Sequence, residues 1–327
     1  MKKLLAFTLA LALVFSLSAC SKGTANSAPA TGAASGSPAS TTESAGQKFG
    51  YTCMDLTNPF QIAMRDAVQQ VVKEKGGTLV SIDGAADQTK QNNAIEDMIT
   101  QGIKVLFLNP VDSKGVKPAL QACKAAGVKV IVLDSNVADT DLTETFISSN
   151  NYQAGKLCGE EMVKLYPNGA KLCIIENPLA ESVVQRVKGL QDAINGSNIK
   201  LVDRKSISSM DKVLSSAEDL LQAHPDVNIF WGLNDDVSLI VQGAVESAGI
   251  AKQVKVFSVD GSPSGKKSIA KGGVYLTAAQ SPVSIGKKGA ECAYDILAGK
   301  TVEKTYSIDT SIVNADNVKT VGSDNWA

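Results

Sequence analysis

From residue 48 onward, short apolar runs alternate with longer stretches in which apolar side chains recur every three or four positions. The runs at 49–54, 78–82, 105–108 and 128–133 have the length and composition of strands. Between them, 60–75, 89–101 and 113–126 carry helical spacing; Ile95, Met98 and Ile99, for example, share one face. The pattern then restarts. Strands are predicted at 171–176, 200–206, 228–231, 255–259 and 275–279, with helices at 154–166, 182–195, 212–223, 236–248 and 263–271. Glycines at 76–77, 127, 249 and 272–273 fall at helix ends, where a left-handed residue is needed. Continuous apolar strands separated by helices imply parallel sheets covered on both faces, so the chain reads as α/β with two units of similar size.

The first 47 residues follow a different rule. Lys2 and Lys3 precede an apolar run from 4 to 17, and small residues lead to Cys20. This is the layout of a secretory signal peptide over 1–19, too short for a spanning helix. Leu17-Ser18-Ala19-Cys20 resembles the lipobox of bacterial lipoproteins, which implies cleavage before Cys20 and a lipid thioether on its sulfur. Two acyl chains hold a protein at a membrane where one is marginal. Residues 21–47 are Ser, Ala, Gly, Thr and Pro with almost nothing to bury, the composition of a flexible tether.

Charge and chemistry narrow the remainder. Thirty-two basic residues balance 33 acidic ones with no basic block, which argues against nucleic acid as a partner. Five cysteines beyond Cys20 (Cys53, Cys123, Cys158, Cys173 and Cys292) lack metal-type spacing and read as small buried thiols. A Cys158–Cys173 disulfide suits an exported protein, but spacing alone does not support it. With one histidine, His224, neither histidine catalysis nor a multi-histidine metal site is expected, and no cofactor is implied.

In open parallel sheets, ligands sit beyond the carboxyl ends of strands. The residues there are polar throughout: Asp55 to Phe60, Asn109-Pro110, Asp134-Ser135-Asn136, Glu176-Asn177, Ser206 to Met210, Asn234-Asp235-Asp236, Asp260-Gly261 and Gln280-Ser281-Pro282. Each has a plainer reading. Asn58 can cap a helix with Pro59 in its first turn; Asp134 and Asp260 can be turn residues; Phe60 can be core.

At these positions the sequence resembles the ribose- and galactose-type periplasmic sugar-binding proteins. The landmarks are Thr57-Asn58-Pro59-Phe60, Leu108-Asn109-Pro110, Val132-Leu133-Asp134, Arg186-Val-Lys-Gly189, Ala223-His-Pro-Asp226, Leu233-Asn234-Asp235, Val259-Asp260-Gly261 and Ala279-Gln280-Ser-Pro282. The resemblance covers about 48–315. It implies a type I periplasmic binding protein: two doubly wound parallel-sheet lobes, 48–148 with 281–309 and 149–280 with 310–327, joined by a three-strand hinge. It also implies that a small sugar or polyol binds between the lobes of a monomeric protein, which closes on it and presents it to an ABC permease. By position, the ligand-binding residues are Asn58, Phe60, Asp134, Arg186, Asn234, Asp260 and Gln280, with Gln61, Ser135, Met210 and Asn109 as further candidates and Asp55 and Ser182 at the rim. Carboxylates accept hydroxyl hydrogens, an arginine fork donates to hydroxyl oxygens, and an aromatic covers the C–H face of a sugar. Arg186, between Asp134 and Asp260, is expected to keep both ionised, which disfavours a hydrolase. Gln61, Ser135 and Met210 depart from the ribose-binding pattern, so a different aldose, ketose or polyol stays open. A sensory component for a chemoreceptor or membrane kinase remains an alternative to transport. A cell-surface or periplasmic, lipid-anchored location is expected either way.

Overall fold

The computed structural model describes residues 46–326; the signal segment, Cys20 and most of the linker lie outside the described residues. The chain begins with β1 (Lys48–Thr52), α1 (Pro59–Glu74), β2 (Thr78–Ser81), α2 (Gln88–Thr100), β3 (Val105–Leu108), α3 (Lys117–Ala125), β4 (Lys129–Leu133) and β5 (Thr145–Ser149). It then crosses into a second set: α4 (Asn151–Leu165), β6 (Ala170–Glu176), α5 (Glu181–Ile194), β7 (Ile199–Ser206), α6 (Val213–Ala223), β8 (Ile229–Gly232), α7 (Asp235–Ser247), β9 (Lys255–Asp260), α8 (Pro263–Ala270) and β10 (Leu276–Ala279). It returns with α9 (Pro282–Leu297) and β11 (Thr305–Ile308), and crosses once more to β12 (Ser311–Asn314) and α10 (Val318–Val321).

Two six-stranded sheets result, ordered β11-β5-β4-β3-β1-β2 and β12-β10-β9-β8-β6-β7. Every pairing is parallel except β10 with β12. The apolar strand runs are buried on both faces because alternate side chains enter different cores. In β3, Val105 and Phe107 join one core while Leu106 and Leu108 join the other. In β8, Phe230 faces one side and Ile229 and Trp231 the opposite one. Each such side chain, removed from water, contributes roughly 1.5–3 kcal/mol. The two-unit α/β reading is what the structure contains, and Gly76, Gly127, Gly249 and Gly272 all have positive φ after their helices.

Elements absent from the sequence reading have physical causes. β5 alternates buried Thr145, Ile147 and Ser149 with half-buried Phe146 and Ser148, so it carries no continuous apolar run. β11 and β12 are edge strands with exposed positions. In α9, Gly286 and Gly289 lower helix propensity, and the helix forms because packing requires them. A Cβ on Gly286 would come 2.4 Å from the Met64 carbonyl oxygen of α1.

A similar close approach fixes α5. A Cβ on Gly155 of α4 would sit 1.7 Å from the Arg186 carbonyl oxygen, and one on Gly189 would sit 2.0 Å from that of Tyr152. Glycine at both positions lets the two helices touch backbone to backbone, and this sets where Arg186 stands. The five described cysteines, Cys53, Cys123, Cys158, Cys173 and Cys292, are free and buried, as expected. Cys158 and Cys173 enter cores on opposite faces of the second sheet, so they form no disulfide.

Candidate functional site

The carboxyl ends of β1, β4, β8, β9 and β10 and the amino ends of α1, α5 and α7 surround a cavity of about 590 Å³ between the two sheets. Asn58, Phe60, Gln61, Asp134, Ser135, Arg186, Met210, Asn234, Asp260 and Gln280 all line it, as does Ser182. Asn109 does not. It is completely buried and supports the wall from behind. Asp55 also stands apart, accepting the backbone N–H and hydroxyl of Thr57 at 2.7 Å each.

Asp134 follows β4 with φ +66°, and Asp260 ends β9 with φ +134°. Left-handed backbone at two non-glycine residues stores strain of the kind that gathers at functional sites. Two amides hold Asp134. Its Oδ2 accepts from Asn109 Nδ2 at 3.1 Å and Gln61 Nε2 at 3.5 Å, while Asn109 Nδ2 also donates to Gln61 Oε1 at 3.0 Å. Asp260 Oδ1 accepts from Gln280 Nε2 at 2.6 Å. Gln280 Oε1 is buried without a partner, an acceptor in the cavity wall that a ligand hydroxyl would satisfy.

Arg186 is only 6% exposed. Its Nε donates to Asn151 Oδ1 and one terminal nitrogen to the Leu233 carbonyl, both at 2.8 Å. That same nitrogen lies 3.9 Å from Asp260 Oδ1. The guanidinium is therefore clamped by neutral acceptors, and the rest of its fork serves the cavity.

Burial works against the expectation that Arg186 keeps both carboxylates ionised, and at Asp260 it overturns it. Burial pushes Asp134 up against the opposing pull of Arg186 and the two amides. Asp260 is pushed up to about 8, chiefly by burial, with Arg186 opposing and Asp235 adding repulsion. Desolvation outweighs one clamped guanidinium.

Asn58 caps its helix, as the plainer reading had it, and also lines the cavity; Asn234 does the same at α7. Asn58 Oδ1 accepts the Phe60 N–H at 2.8 Å, and Asn234 Oδ1 accepts that of Val237 at 3.0 Å. Asp235, next to Asn234, turns away and is 1% exposed. It accepts from Ser258 Oγ (2.5 Å), Ser262 N and Oγ (2.7 Å each) and Thr277 Oγ1 (2.8 Å), tying α7, β9, β10 and the start of α8 together behind the site. Gly265 leaves room for it, since a Cβ there would lie 2.2 Å from Asp235 Oδ2.

The sequence reading missed Asn151, which holds Arg186, and Trp326, which lines the cavity. Phe60 and Trp326 meet edge to face, their ring centroids 5.3 Å apart. A lone aromatic in the polar stretch Ser323-Asp-Asn-Trp326 was the available signal. A second chamber of about 790 Å³ shares Met54, Asp134, Ser135 and Ser182 with the first and extends toward Asn150 and Tyr152. Among the described residues, no group of three His, Cys, Asp or Glu could hold a metal, and no helix is long and apolar enough to cross a membrane.

Two sheets with a polar cavity at facing strand ends define a two-lobed binding protein. The sequence profile of the periplasmic binding protein domain matches residues 49–301, and the chain belongs to that family. It is 32% identical over 261 residues to the ribose import binding protein of Bacillus subtilis (strain 168), covering 79% of this chain and 84% of that one. A Mycobacterium smegmatis ABC transporter solute binding protein with bound glycerol superposes with TM-score 0.79 at 33% identity, covering 86% of this chain and 99% of the other. A Caulobacter myo-inositol binding protein bound to myo-inositol gives TM-score 0.76 at 27% identity, covering 84% and 95%. These relatives are binding proteins rather than enzymes, and family membership implies an extracytoplasmic location.

Proposed function

We propose that this chain is the lipid-anchored, extracytoplasmic substrate-binding component of an ABC importer, and that it takes a small polyhydroxylated ligand, a sugar or polyol. One observation carries the reading: Asp134, Arg186, Asp260 and Gln280, from both sheets, converge on one cavity of about 590 Å³. Carboxylates and amide oxygens accept hydroxyl hydrogens, and the Arg186 fork donates to hydroxyl oxygens. Hydrogen bonds to charged groups contribute about 1.5–3 kcal/mol each. The relatives' ligands, glycerol and myo-inositol among them, have this chemistry.

Ribose is disfavoured. Gln61 is spent on Asp134 and Asn109, Ser135 offers no cation, and Met210 is 45% exposed at the mouth. The lobes are taken as 48–148 with 281–309 and 149–280 with 310–327. A ligand that touches both favours the closed arrangement by its differential affinity. The crossings between sheets are cross-linked where Gln153 Oε1 accepts from Thr310 N (2.8 Å) and Oγ1 (3.1 Å), a hinge pin for that motion. Cys20, outside the described residues, carries the lipid.

The test is a thermal-shift screen of purified residues 21–327 against sugars and polyols, followed by calorimetry. A ligand is expected to raise Tm by mass action. No shift with any sugar or polyol, or turnover of one, sinks the reading. Cys20→Ser is expected to release the full-length protein from the membrane fraction, and retention there would remove the anchor from the proposal.

A further inference from the structure

We infer that Trp326 is a ligand-contacting residue, carried on a C-terminal strap, that selects ring-shaped polyols over open-chain ones. The inference rests on the proposed binding of a small polyhydroxylated ligand and deepens it.

The strap starts on the second sheet. β12 pairs with β10, and α10 follows with Val318 buried in the second-sheet core and packs against α8. Gly322, at φ +81°, turns the chain. Two neighbouring lysines of α8 then hold it. Lys267 Nζ lies 3.3 Å from Asp324 Oδ1, and Lys266 Nζ donates to the Asn325 carbonyl at 2.6 Å. Lys266 is 1% exposed. A buried ammonium without an acceptor is costly, so the strap's carbonyl and the lysine hold each other in place. Trp326 follows directly, packed against the first-sheet core and set edge to face on Phe60 at 88°. The indole is thus anchored from one half of the molecule and seated on the other, with the cavity between.

Two aromatic rings at right angles form an apolar corner facing the carboxylates, amides and guanidinium of the same cavity. A ring sugar or cyclitol presents a compact face of C–H groups that fills such a corner while its hydroxyls reach Asp134, Asp260 and Arg186. An open-chain polyol has no such face, so the corner favours the ring.

Calorimetry on wild type, Trp326→Ala, Trp326→Phe and Lys266→Met, with myo-inositol, D-allose and D-ribose as ring probes and glycerol and sorbitol as open-chain probes, tests this. Trp326→Ala is expected to weaken the best ring probe roughly five- to tenfold, the worth of an aromatic contact, and to change open-chain binding by less than about twofold on the same reasoning. Trp326→Phe recovers most of the loss. Lys266 lies outside the cavity wall, yet Lys266→Met is expected to reproduce the ring-specific loss and to red-shift tryptophan emission. That shift reports Trp326, because the only other tryptophan, Trp231, is fully buried. Deleting residues 323–327 gives the same pattern if the lysine variant fails to fold. Unchanged ring-probe affinity in Trp326→Ala, or an equal loss for both probe classes, overturns the inference while the proposed function stands. A wild type that binds no probe overturns both.

Discussion

Asp134 and Asp260 occupy equivalent places on the two sheets, at the ends of β4 and β9, and are held in different ways. Asp134 sits in a neutral frame: Asn109 and Gln61 both donate to it, Asn109 also donates to Gln61, and the frame lies within the first-sheet half. Asp260 has one amide, Gln280, and shares its surroundings with other acids, the buried Asp235 and the exposed Asp236, whose repulsion adds to burial. Arg186 opposes the rise at both. One half is thus braced by dipoles and the other by a balance of charges. The same residue type at the same topological position can be held by neutral amides or share its site with further charges.

Removing Arg186 tests the comparison most severely. Arg186→Ala takes away the cation that acts on both halves and leaves Asn151 and the Leu233 carbonyl without their donor. Losing two charge-assisted contacts to a ligand is expected to cost about 3 kcal/mol or more, above a hundredfold in Kd by calorimetry. Circular dichroism should show both cores folded. Normal binding by this variant would place the ligand elsewhere.

The next test separates the halves by pH. Because Asp260 holds its proton to about 8 in the folded protein and only to the ordinary carboxylate range when unfolded, the folded state binds more protons between those limits. Stability therefore falls as pH rises from about 4 to about 8 and stays low above that. Asp260→Asn removes this loss. Between pH 6 and pH 9, wild type is expected to lose about 3 kcal/mol more than the variant in denaturant titrations. Ligand affinity in wild type should rise with pH toward 8 if the ionised carboxylate is the acceptor. An affinity that is flat below about 8 and falls above it would mean that Asp260 binds as the acid.

A smaller effect is expected on the braced side. Asn109→Ala leaves Asp134 and Gln61 short of a donor without touching the cavity surface, and should weaken binding by about 1–2 kcal/mol with little change in its pH profile. A pH profile that moves as much as in Asp260→Asn would erase the distinction between the halves.

The smallest effect concerns the cysteines. Burial pushes Cys53, Cys123, Cys158 and Cys173 up to about 12, so these thiols should react with a thiol reagent only on unfolding. Ligand should slow that reaction equally in both halves.

Much of this was legible in order along the chain. Strands such as Val105–Leu108 and Ile229–Gly232 are uninterrupted apolar runs, and helices such as Pro59–Glu74 open with a capping asparagine and a proline. β5, with its serines and threonine, and α9, with two interior glycines, were not legible, because each is stabilised by neighbours that lie far off in sequence. The seven residues first assigned to the ligand all line the cavity, but their division of labour could not be read in advance. Asn109 and Asp235 stand in the same strand-end positions as Asp134 and Asn234 and point behind the wall instead.

By itself the sequence determined two α/β units, the burial of the thiols and a ring of polar residues at strand ends, because periodicity and turn chemistry are local. Only the tertiary structure decided which of those polar side chains face the cavity, that burial outweighs Arg186 at Asp260, and that Trp326 returns to Phe60 across 266 positions of chain. Desolvation and long-range packing depend on what surrounds a residue once the chain has closed on itself, and no local pattern records that.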